Sequence, residues 1–74
     1  MFGFNLTPKI EKIAQETIIE MNLKSLNKAK LVLKNNSSFT IVRNGTKESE
    51  QFKKSNLTLG AIKSPEGEHF LIVF

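Results

Sequence analysis

Residues 24 to 34 read KSLNKAKLVLK, a run with four lysines and no acid. Two backbone periods compete for it. Coiled as a helix, it would use Ser25 as its cap and bring Leu26, Ala29 and Leu33 to one face. Leu31 would then point away, and the lysines would split into a 24/28 pair and a 30/34 pair on well-separated sides. Extended as a strand from about 28 to 34, it sets Lys28, Lys30, Val32 and Lys34 on one face and Ala29, Leu31 and Leu33 on the other. The alternation is unbroken, so the strand is the reading adopted. Its consequence is a single cationic face.

Upstream, Thr7 and Pro8 form a helix start, because proline at the first helical position gives up a backbone donor that would be unpaired anyway. Ile10, Ile13, Ala14, Ile18 and Met21 follow at helical spacing, with Lys9, Lys12, Glu16 and Glu20 on the other side. This predicts an amphipathic helix over about residues 8 to 22. Downstream, the period is two. Asn44-Gly45 separates two extended runs and is a strong hairpin signal, since both turn residues must tolerate positive φ. Strands are therefore expected near 39–43 and 46–52, with Asn35 to Ser38 as the preceding loop. Ser64-Pro65-Glu66-Gly67 carries turn residues in their preferred places and predicts a second hairpin, with strands near 57–63 and 68–74.

The expected fold class is α+β: one N-terminal amphipathic helix packed on a four- to five-stranded, mostly antiparallel meander, either open or closed into a small barrel. Seventy-four residues make a single small domain over 1–74, too short for a second core. In the last strand Phe70, Ile72 and Phe74 face one way and Leu71 and Val73 the other, so both sides call for burial. A barrel, cover from the N-terminal MFGF segment, or a partner subunit in a homo-dimer or higher oligomer would each provide it. In element order this reading resembles Sm-like RNA-binding proteins, a resemblance of architecture alone.

The chemistry-bearing residues are few. The chain has one histidine and no aspartate, cysteine, tryptophan or tyrosine, which leaves no nucleophile, base and orienter on separate elements and no metal-ligand spacing. No cofactor is expected. His69 with Glu68 and nearby lysines is the one acid–base set that a small ribonuclease-like activity could use. The missing cysteines and the lack of a leader or long apolar run predict a cytoplasmic protein with no membrane partner.

Charge is more informative. The formal net charge is +4 and the isoelectric point about 9.6, although Arg43 is the only arginine. Residues 1–23 and 48–74 each sum to −1, so the whole excess sits in Lys24, Lys28, Lys30, Lys34, Arg43 and Lys47. The expected function is a small non-enzymatic intracellular binding module that engages nucleic acid through a basic strand and loop surface. Its contact set is Lys28, Lys30, Lys34, Arg43 and Lys47, with Phe39 stacking on a base. The alternative is a protein-interaction module, such as a mobile-element-type inhibitor or adaptor, or a self-assembling structural subunit. It would act through an apolar C-terminal strand of Phe70, Leu71, Ile72, Val73 and Phe74.

Overall fold

The computed structural model describes residues 8–34, 36–55 and 59–73. The expectations placed on Thr7, on the MFGF segment, on Asn35 and on Phe74 lie outside them. The elements run α1 (Pro8–Lys24), β1 (Lys28–Val32), β2 (Ser38–Arg43), α2 (Lys47–Lys54), β3 (Leu59–Lys63) and β4 (His69–Val73). The fold is α+β, with an open four-stranded antiparallel sheet in the order β1-β2-β4-β3. It is not closed into a barrel.

The competition within residues 24 to 34 is settled at Ser25. This residue takes a left-handed φ of 55°. Its N–H then reaches the Asn22 carbonyl at 3.4 Å, and the Leu26 N–H reaches that of Met21 at 2.9 Å. This is the Schellman pattern that ends a helix by pairing its last carbonyls. Ser25 therefore terminates α1 instead of starting a new helix, and the chain leaves extended into β1.

β1 and β2 pair in register, Lys28 opposite Val42 through Val32 opposite Ser38. The odd-numbered residues of β1 share the face that α1 covers, the even-numbered ones the other. Beneath α1, Ala14, Ile18 and Met21 meet Phe39, Ile41, Phe70, Ile72 and Ile62 in one buried cluster, and Ile10, Ile13, Ala29, Leu31 and Leu33 pack half-buried at its side.

Two expectations are corrected. Residues 46–52 do not form a strand, and Asn44-Gly45 does not close a hairpin. Gly45 does adopt a positive φ of 86°, but the chain turns into α2. Thr46 caps that helix: its Oγ1 accepts from the Ser49 N–H at 3.3 Å, and the Ser49 Oγ accepts from the Thr46 N–H at 3.1 Å. Glu48 and Glu50 in the first turn and Lys53 and Lys54 in the last suit the helix dipole.

The second correction follows from topology. β2 and β3 are each antiparallel to β4, hence parallel to one another, with β4 between them. Parallel strands need a crossover, usually a helix, where a tight turn suffices for antiparallel neighbours. α2 is that crossover, so the sheet is no meander, and the element order departs from that of Sm-like proteins. The Ser64 to Gly67 turn does join β3 to β4, with the Gly67 N–H donating to the Ser64 carbonyl at 2.9 Å.

The doubly apolar last strand is thereby explained. β4 is an interior strand, with Phe70 and Ile72 under α1 and Leu71 and Val73 buried on the opposite face beside Val42. α2 packs against β2, with Ser49 buried and Phe52 half-buried.

Candidate interaction surface

In an antiparallel pair, opposed residues alternate between those that exchange hydrogen bonds and those whose backbone groups point away. The Arg43 N–H donates to Asn27 O at 2.8 Å and the Leu33 N–H to Ser37 O at 2.7 Å, so odd-numbered residues of this ladder face β2. It follows that the N–H and C=O groups of Lys28, Lys30 and Val32 point outward from the sheet. Among the described residues no strand pairs with that side of β1.

The side chains divide just as sharply. Lys28 and Lys30 are exposed, and Val32 stands beside them 71% exposed, an apolar residue in a lysine row. Lys34 follows just past the strand and is exposed as well. On the other face, the described residues leave space between α1 and β1 unfilled. One groove of about 500 Å³ is lined by Lys9, Ile10, Ile13, Leu31, Leu33 and Lys34, and reaches Val32 at the strand's edge. A second, of about 190 Å³, lies between Thr17, Glu20, Met21, Leu26, Ala29, Lys30 and Leu31. The larger is a mainly apolar channel under the edge strand with Lys9 and Lys34 at its rim, whereas the smaller is mixed, an acid and a lysine among its walls. Among the described residues Lys9, Lys28, Lys30 and Lys34 enter no ion pair.

The remaining residues of the expected nucleic-acid set lie elsewhere. Arg43 is on the α1 face of the sheet, where it donates to the Glu68 carboxylate, to Asn22 Oδ1 at 2.8 Å and to Leu26 O at 3.1 Å. Its guanidinium also stacks 4.9 Å from the centre of the Phe70 ring. A guanidinium so engaged has little left to give a phosphate; it ties the end of α1 to the β3–β4 turn. Phe39 is 1% exposed in the core, so stacking on a base would require opening the α1 layer. Lys47 is the first residue of α2, on a different element from the other lysines. The structure thus brings together Lys28 and Lys30, with Lys34 adjoining, and commits Arg43 and Phe39 to the interior, while Lys47 stands on α2.

The residues expected at a protein interface are also enclosed. Phe70, Leu71, Ile72 and Val73 are each 3% exposed or less in the interior strand, so they offer no surface. His69 is exposed opposite Lys63 at the end of β4, while the neighbouring Glu68 is held by Arg43. Among the described residues no three His, Cys, Asp or Glu side chains converge as a metal site, and no helix is long and apolar enough to cross a membrane.

Sequence reasoning missed the channel. The odd parity of Leu31 and Leu33 placed them on the apolar face, but nothing in the sequence says that α1 covers β1 only in part. Nor does the sequence reveal that β1 lies at an edge. No family model, curated protein or solved structure matches this chain.

Proposed function

We propose that the chain is a small non-enzymatic interaction module that holds an anionic protein partner along the edge strand β1. The observation that supports this reading is the coincidence, on one strand, of outward backbone groups, unpaired lysines and a half-covered apolar face. Exposed sheet edges recruit other chains through main-chain hydrogen bonds, with alternate side chains supplying specificity. The cationic character selects acidic partners and speeds encounter with them.

A nucleic-acid backbone would be attracted to the same lysines. It would use neither the outward carbonyls nor the apolar channel, and the arginine and aromatic ring that would have helped it are committed to the interior. The protein partner is therefore the better fit.

Poly-glutamate and a single-stranded oligonucleotide, competed against one another for the purified chain, provide the test. Binding of poly-glutamate should weaken at least about tenfold in the double variant Lys28→Glu, Lys30→Glu, and hold in the double control Lys54→Glu, Lys63→Glu, which makes the same change of charge on α2 and β3. Preference for the oligonucleotide would hand the surface to nucleic acid and sink this reading.

A further inference from the structure

We infer that the partner contributes an extended acidic segment that joins β1 as a fifth strand, its side chains alternating between acids over the lysine row and apolar groups in the channel beneath α1. The inference rests on the reading of β1 as the working surface and specifies what that surface selects.

The geometry of the edge requires the alternation. A strand added to β1 would lie about 4.8 Å away and hydrogen-bond to the outward groups of Lys28, Lys30 and Val32. Successive side chains of that strand would fall on opposite faces of the sheet. On one face they meet Lys28 and Lys30, where an opposite charge directly across a ladder is favourable. On the other they meet Ile10, Ile13, Leu31 and Leu33, which are half-buried and line the larger groove. A groove of about 500 Å³ falls within the ~300–1,000 Å³ range of pockets that enclose ligand groups.

A second copy of this chain is a poorer occupant. With both α1 helices on the same side, antiparallel pairing of β1 with itself must place even-numbered residues opposite one another. The registers that overlap the strand set Lys30 against Lys30, Lys28 against Lys30, Lys28 against Lys34 or Lys30 against Lys34, and like charges directly opposed are destabilising. The same lysines that oppose self-pairing favour an acidic stranger. The far edge of the sheet is less open, because Gln15 Nε2 of α1 donates to the outward Lys63 carbonyl at 3.1 Å.

The test compares two fluorescent peptides of about eight residues. One alternates glutamate with valine; the other has the same composition with its glutamates and valines in separate blocks. Anisotropy titrations of the full chain should show the alternating peptide binding at least about tenfold tighter. Val32→Pro, which removes an outward N–H without altering any charge or any bond to β2, should bring the alternating peptide down to the level of the block peptide. Hydrogen exchange supplies a readout that needs no variant: the amides of Lys28, Lys30 and Val32 should slow when the alternating peptide is added. Equal affinity for the two peptides, or unchanged exchange at those amides, would overturn strand addition while leaving the cationic-edge reading in place. Failure to bind either peptide, with an oligonucleotide still bound, would overturn both.

Discussion

Replacing Arg43 with methionine separates a structural arginine from a ligand-binding one, because the two roles predict opposite outcomes. The methionine retains the apolar stem and removes the guanidinium. Lost with it are hydrogen bonds to Asn22 and Leu26, each worth about 0.5–1.5 kcal/mol net. Lost too is the pairing with Glu68, whose side chain is 43% exposed against 21% for Arg43, so water screens it and about 0.5–1 kcal/mol is appropriate. The contact with the Phe70 ring adds about 0.5–1 kcal/mol. These terms share one side chain and do not sum freely, so the expected cost is roughly 2–3 kcal/mol. At about 4–8 °C per kcal/mol for a domain of this size, the melting temperature should fall by roughly 10–20 °C. A small domain has only about 3–5 kcal/mol to lose, so the effect would be plain in a thermal unfolding curve followed by circular dichroism. Glu68→Gln should reproduce only the ion-pair share, and the double variant should cost less than the sum of the two. A variant that melts within a degree or two of the parent and instead loses affinity for a polyanion would refute the assignment and return Arg43 to the binding surface.

Other substitutions probe the elements that organise the fold. Thr46→Ala removes the cap of α2 and should destabilise the chain by about 1 kcal/mol, read as a lower urea midpoint at unchanged slope. Ser25→Gly relieves a left-handed φ of 55° at the end of α1 and should raise stability by up to about 1 kcal/mol; a loss instead would mean that the serine hydroxyl matters more than its backbone. Phe39→Ala should cost about 3–5 kcal/mol as a core deletion, enough to leave the chain largely unfolded at room temperature, whereas a stacking residue on the surface would cost almost nothing.

The amphipathic period of residues 8 to 22, the strict alternation of 28 to 34 and the Ser64 to Gly67 turn were legible because each is a local pattern that its own residues enforce, although the helix runs on to Lys24 and the strand ends at Val32. The segment after Asn44-Gly45 was misread for an instructive reason. An Asn-Gly pair supplies positive φ to any turn, and here it serves a helix entry marked by Thr46 and Ser49, acids early and lysines late. These cap signals were present in the sequence and were outweighed by the hairpin signal.

What the sequence by itself determined is which residues share a face: Lys28 and Lys30 on one side of β1, Ala29 and Leu31 on the other, and two apolar sides for β4. What only the tertiary structure decided is the place of each strand in the sheet. Once α2 carries the chain across β4, β4 becomes an interior strand whose apolar faces are consumed in the core, and β1 is left at the rim. Side-chain parity is a property of the local backbone, whereas strand order depends on pairings between residues far apart along the chain. For that reason the candidate surface could not be located from periodicity alone.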